Sequence, residues 1–165
     1  MRARVYIDGG CAPQNPGHAG FAVVVRMRGT KMKVLSRYIG VATNNVAEYT
    51  ALIAGVRYAK EQGATSITVY SDSQLIVNQV NQKWKIKSDD LRPLNFQARE
   101  ALIRSYPMAW ELLWIPREKN VLADHYCTLA LNVGRNKNPW RRRRLPSKIL
   151  DKSSSAYGQR IGMSA

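Results

Sequence analysis

Four acidic residues stand where an acid could do more than dissolve the chain. Asp8 closes the apolar run Val5-Tyr6-Ile7 ahead of Gly9-Gly10, and Glu48 stands three residues after Asn45. Asp72 separates Ser66–Ser71 from Ser73-Gln74-Leu75, and Asp124 falls within Asn120-Val121-Leu122-Ala123-Asp124-His125. Taken singly, each has a structural explanation. Asp8 suits an Asp-Gly turn, Glu48 a capping box begun by Asn45, Asp72 a helix cap, and Asp124 the positive end of a helix dipole. Taken together, they sit at the end of an element or in a helix's first turns. If the strands ending at Asp8 and Asp72 are parallel neighbours, both carboxylates reach one sheet edge, where open α/β sheets gather ligands. Four oxygen donors without a Cys or His cluster suit magnesium or manganese better than zinc. Two such ions about 3.5–4 Å apart can clamp the attacking and leaving oxygens of an in-line phosphoryl displacement.

The elements that must position these acids are legible from period and punctuation. Residues 3–8 read as a strand, and residues 20–28 and 31–40 as a hairpin about Gly29-Thr30. Asn44-Asn45 opens a helix to about Gln62, with Ala47, Ala51, Ala54 and Tyr58 on one stripe and Gly63 as its stop. Residues 66–71 form a strand, 72–80 and 89–104 helices, 109–115 a Trp-bearing strand, and 120–133 a last helix. Strands joined by a tight hairpin are antiparallel, and those separated by helices are parallel. The expected fold is α/β: a mixed five-stranded sheet, three antiparallel strands then parallel ones, with helices packed on both faces. No internal repeat is visible.

Composition narrows the partners. The 165 residues are 45% hydrophobic, enough for one packed domain, and carry a formal charge of +15. Residues 135–165 hold 9 Lys and Arg against one acid, including Arg141–Arg144. The rest of the chain is basic as well. Such a field favours a polyanion, nucleic acid first. The expected organisation is a folded domain over 1–134 and a basic, flexible tail over 135–165, which would bind phosphate loosely or merely aid solubility. Apolar runs such as Phe21–Val25 are too short for a membrane span, which needs about 20 residues. No signal-peptide pattern follows Met1-Arg2-Ala3-Arg4, so a cytoplasmic protein is expected. Cys11 and Cys127 are expected as free thiols, with a disulfide between them as the alternative.

Five ordered motifs then carry a family resemblance. Tyr6-Ile7-Asp8-Gly9-Gly10, Asn15-Pro16-Gly17, Thr43-Asn44-Asn45-Val46-Ala47-Glu48-Tyr49 and Ser71-Asp72-Ser73-Gln74-Leu75 resemble successive signatures of type 1 ribonuclease H. Trp114-Ile115-Pro116-Arg117-Glu118-Lys119-Asn120 with Ala123-Asp124 resembles the fifth, in the form of the compact archaeal and bacterial branch. The likeness spans roughly residues 3–133. It implies endonucleolytic hydrolysis of the RNA strand of an RNA–DNA hybrid, with 5′-phosphate and 3′-hydroxyl ends, using two magnesium ions or manganese in their place. It implies that Asp8 bridges both ions, that Asp124 completes the water-activating one, and that Glu48 and Asp72 serve the other. Glu48 would also approach the ribose 2′-OH. Asn15, Asn45 and Gln74 match minor-groove readers, Thr43 a DNA-phosphate contact, Asn44 the same binding loop, and Trp84 a tryptophan beside the DNA strand. The chain is expected to act as a monomer, and double-stranded RNA is a further substrate to test.

Two departures stand out. Many family members carry a long basic handle after the second helix, where this chain has only Lys83-Trp84-Lys85-Ile86-Lys87 before Ser88-Asp89-Asp90. Many also place a catalytic His after the last strand; here Pro116–Asn120 stands there, with Glu118 as the candidate substitute and His18 and His125 elsewhere. No amino-terminal hybrid-binding module is expected. The competing reading is a nucleic-acid-binding protein that kept the fold but lost the chemistry, and the same metal chemistry also serves integrases, resolvases and double-stranded RNA nucleases.

Overall fold

The computed structural model describes residues 1–107 and 109–135. Five strands, β1 (Arg2–Ala12), β2 (Gly17–Met27), β3 (Lys33–Ala42), β4 (Ser66–Ser71) and β5 (Trp110–Trp114), form one sheet in the order β3-β2-β1-β4-β5. The β1–β2 and β2–β3 pairs are antiparallel, and β1–β4 and β4–β5 are parallel, as the sequence implies. Along β1, Ala3, Val5 and Ile7 are fully buried, whereas the alternate residues Arg2 and Arg4 are exposed. β2 is buried on both faces from Ala19 to Val25, which explains its unbroken apolar run.

β1 does not end at Asp8. It continues through Gly9-Gly10 to Ala12, paired with β2 as far as Ala12↔His18. The parallel ladder with β4 does stop there, at Ile7↔Ser71. Asp8 is therefore the first residue of β1 beyond its shorter neighbour, not a strand tip.

Helices α1 (Asn44–Glu61), α2 (Gln74–Val80) and α3 (Leu91–Ser105) belong to one face. Gly55 lets α1 press onto the sheet, because a Cβ there would lie 3.2 Å from Ile7 and Val5 and 3.3 Å from Val23. α1 ends as the sequence predicts. Ala64 N–H donates to the Ala59 carbonyl and Gly63 N–H to Lys60, with Gly63 at φ 88°, the left-handed terminator that favours glycine. Helix α4 (Val121–Arg135) lies on the opposite face across β1, β2 and β3, close over Gly10 and Gly20. A short 3-10 turn, Arg117–Lys119, links β5 to it. Among the described residues no helix is long and apolar enough to cross a membrane. The tail expected over 135–165 falls outside the described residues, apart from Arg135 at the end of α4.

Candidate carboxylate site and basic groove

The edge beyond β4 is assembled by backbone contacts that the sequence does not display. A Cβ on Gly9 would lie 2.4 Å from the Ala47 carbonyl carbon and 2.4 Å from the Glu48 nitrogen. Only glycine lets α1 touch β1 here, and that touch brings Glu48 beside Asp8. Asp72 follows β4 directly. Asn120, 1% exposed, donates through Nδ2 to the Ile7 carbonyl at 2.8 Å and to Asp72 Oδ1 at 3.1 Å. The Trp114 indole N–H holds the Asp72 carbonyl at 3.1 Å. Asp124 sits in the first turn of α4, its N–H donating to the Asn120 carbonyl at 3.1 Å.

Neither capping reading holds. The cap of α1 is Thr43, whose hydroxyl accepts from Val46 N–H at 3.3 Å. The cap of α2 is Ser73, which accepts from Ile76 N–H at 3.4 Å. The Thr43 and Ser73 hydroxyls do that work, leaving Glu48 and Asp72 free to face the edge.

The acids pay electrostatically for meeting. Burial pushes the Asp8 carboxyl up to about 7, reinforced by the negative charges of Asp72 and Asp124 and opposed by the Cys127 thiol and Arg117. Burial raises Glu48 to about 8, with Asp8 and Asp72 adding to the shift while a Ser73 hydrogen bond and Arg117 oppose it. Glu48 Oε2 is buried without a hydrogen-bond partner. Arg117 supplies the nearest positive charge and donates to Asp124 Oδ1 at 2.5 Å. Among the described residues no three His, Cys, Asp or Glu side chains form a ready metal cage. Crowded, partly buried carboxylates with an unmatched oxygen nevertheless fit a hard divalent cation, whose charge would reverse the shifts.

The other predicted residues divide into two groups. Asn15 and Asn44 meet at the loop before β2: Asn15 Oδ1 accepts from Asn44 N–H at 3.2 Å, and Asn44 Oδ1 from Cys11 N–H at 2.7 Å. Asn45 and Trp84 line a cleft of about 550 Å³ between α1, α2 and the segment before α3, with Lys83, Lys85 and Lys87 on its wall. Gln74 opens α2 next to Leu75, which also lines that cleft. Trp84 is 49% exposed, so its ring is open to a partner. Glu118 is exposed on the 3-10 turn. His18 Nδ1 is bound to the Tyr38 hydroxyl at 2.6 Å, and His125 stands edge-on to Tyr126. Both cysteines are free; Cys127 lies under Asp8, whereas the Cys11 thiol faces Gln14 and Asn15, so the disulfide alternative does not form. Reading by residue type missed Asn120 and Arg117, although both lie in the fifth motif.

Comparison with known proteins identifies the family and the fold. The family model described as reverse transcriptase-like matches residues 6–130. The crystal structure of RNase H1 from the archaeon Halobacterium salinarum superposes with a TM-score of 0.74 at 34% identity, covering 80% of this chain and 98% of that one. The chain belongs to the type 1 ribonuclease H family. The RNase H domain of Mycobacterium tuberculosis Rv2228c gives a TM-score of 0.74 at 38% identity, covering 81% of this chain and 95% of that one. The bifunctional protein Rv2228c itself is 39% identical over 135 residues, 81% of this chain but only 36% of its own length. LC11-RNase H1 in complex with an RNA/DNA hybrid matches at TM-score 0.72 and 34% identity, over 79% of this chain and 96% of that one. The four acids thus share one edge of this fold, and Arg117 and Glu118 stand in the turn that links β5 to α4.

Proposed function

We propose that this chain is an endoribonuclease that hydrolyses the RNA strand of RNA–DNA hybrids, leaving 5′-phosphate and 3′-hydroxyl ends. The observation that carries the reading is the meeting of Asp8 of β1, Glu48 of α1, Asp72 just after β4 and Asp124 of α4 on one sheet edge beside a basic cleft. These four residues would hold two magnesium ions, or manganese through the same oxygens; bound there, the ions supply Lewis-acid stabilisation of the phosphoryl group and a deprotonated water. The chain's own residues do the positioning. Asn120 ties Asp72 to the β1 backbone, and Gly9 sets the approach of Glu48 to Asp8. Glu48 then discriminates RNA through the 2′-OH. Asn15, Asn45 and Gln74 read the minor groove, Thr43 holds a DNA phosphate with Asn44 in the same binding loop, and Trp84 supports the DNA strand. We place this activity in a cytoplasmic monomer, and the hybrid complex of LC11-RNase H1 supports the substrate class.

A second reading, a hybrid-binding or double-stranded-RNA-binding protein with weak catalysis, has one contact in its favour: Arg117 already neutralises Asp124. Cleavage of end-labelled RNA–DNA hybrid, RNA duplex and DNA duplex with magnesium, manganese or chelator separates the two. Metal-dependent cuts in the RNA of the hybrid are expected. Binding without cleavage in any metal would replace the first reading with the second.

A further inference from the structure

The two faces of the sheet are unequally covered. α1, α2 and α3 close one face, whereas α4 alone lies on the other and packs across β1, β2 and β3. On that second face the lower part of β1, with β4 and β5, presents side chains to the outside. They are basic and aromatic. Arg4 of β1 and Arg26 of β2 are direct cross-strand partners, and both are exposed. Like charges placed opposite one another destabilise a sheet unless something neutralises them. Among the described residues neither Arg4 nor Arg26 forms an ion pair; Glu111 on this face is already taken by Arg2 and Thr68, and Asp8, on the same face of β1, lies farther along against Cys127 of α4. The Arg26 guanidinium lies 6.0 Å from the Tyr6 ring centre, and Tyr6 stacks on Tyr70 at 4.9 Å. Tyr6, Arg26 and Lys119 then wall a cavity of about 190 Å³ before α4.

We propose that this face is a second docking surface, for single-stranded nucleic acid, distinct from the cleft around Trp84. The occupant follows from charge complementarity. Arg4, Arg26 and Lys119 carry charges that no ion pair among the described residues answers, with Arg26 and Lys119 walling one cavity, so the surface calls for a chain of anions rather than the equally basic residues 135–165. The opposed Arg4 and Arg26 place two cations on neighbouring strands, whose long side chains can reach successive phosphates, and the stacked Tyr6–Tyr70 pair beside them suits bases. The Trp84 cleft opens between α1, α2 and the segment before α3, on the other side of the sheet, so the two surfaces can be occupied separately only if oligo-dT binding survives saturation with hybrid. The inference stands on the surface itself and is independent of the catalytic reading.

The test uses the full chain and a short fluorescein-labelled oligo-dT, followed by anisotropy in chelator with and without saturating unlabelled RNA–DNA hybrid. Binding of oligo-dT is expected to persist when hybrid is saturating. The double variant Arg4→Gln/Arg26→Gln should weaken it about tenfold and lower the slope of log affinity against log salt by about 1.4, the value for two lost phosphate contacts on a single strand. Hybrid cleavage by the variant should match the wild type. Full competition by hybrid, or unchanged oligo-dT binding by the variant, would overturn the proposal; the second result would assign the binding to residues 135–165. Equal affinity for polyglutamate would likewise overturn it in favour of an acidic protein partner. If the double variant fails to fold, Arg26→Gln alone gives the same test with a salt slope lower by about 0.7.

Discussion

The carboxylate edge and the basic cleft lie close together yet are built on opposite physical terms. At the edge, acids are half-buried and crowded, Glu48 keeps an unpaired oxygen, and the backbones of β1 and α1 touch. At the cleft, lysines and Trp84 are solvated and their charges are spread along a short segment. The edge stores repulsion that a cation can relieve, whereas the cleft holds charge that costs the fold almost nothing. Chemistry and grip are thus separable, and single substitutions should separate them.

The largest effect is expected at the edge. Asp8→Asn should lower turnover by roughly a thousandfold, since a lost metal contact forfeits several kcal/mol of transition-state stabilisation. Hybrid affinity in chelator should stay unchanged. Single-turnover cleavage and anisotropy on the same preparation measure both, and wild-type turnover would remove Asp8 from the site.

Asn120→Ala should come next, with turnover down about 10- to 100-fold, the usual effect of losing a residue that orients a ligand. Asp72 would lose its tie to the β1 backbone, and the buried Ile7 carbonyl its partner, at a cost of about 1–3 kcal/mol in stability. Chemical denaturation alongside kinetics shows whether both losses occur; a drop in stability alone would make Asn120 a packing residue only.

Glu48→Gln should reverse the sign. On stability, it should raise that of the metal-free chain by about 1–2 kcal/mol, because functional sites commonly sacrifice that much. The pH dependence has the same origin. Asp8 and Glu48 rise from ordinary values of 3.8 and 4.5 to about 7 and about 8 in the folded chain. The folded state therefore holds more protons than the unfolded one through that window. Their contribution is most favourable below about pH 4 and is lost as the pH rises to about 8. Melting of the metal-free protein should fall across this range, and magnesium should flatten the slope. An equal slope with and without magnesium would dissociate the two groups from the metal.

The smallest effect belongs to the cleft. Trp84→Ala should weaken hybrid binding about five- to tenfold, the lower end of stacking losses, without changing single-turnover rate at saturation. A fall in that rate would erase the separation between grip and chemistry.

Much of this architecture was readable before the structure. The Val-rich β2, the Ala stripe of α1 with its Gly63 stop, and the hairpin at Gly29-Thr30 are local patterns, and local patterns specify elements. The four acids were recognisable only through their motif settings, since Glu48 and Asp72 carried equally good local readings as caps. Thr43 and Ser73 settle those readings by capping the helices themselves. The extension of β1 past Asp8 was not readable either, because Gly9-Gly10 looks like a turn until β2 is found paired beside it.

By itself, then, the chain's sequence determined the elements, the five-stranded order of antiparallel then parallel strands, the family and which acids are candidates for one site. Periodicity, turn chemistry and motif order are properties of neighbours along the chain. Tertiary structure alone decided that Gly9 is a contact surface for α1, that Asn120 spans Ile7 and Asp72, that Arg117 answers Asp124, and that Arg4 faces Arg26 on an open sheet face. Each of these joins residues from different elements, where the energy depends on distance, burial and register rather than on sequence spacing.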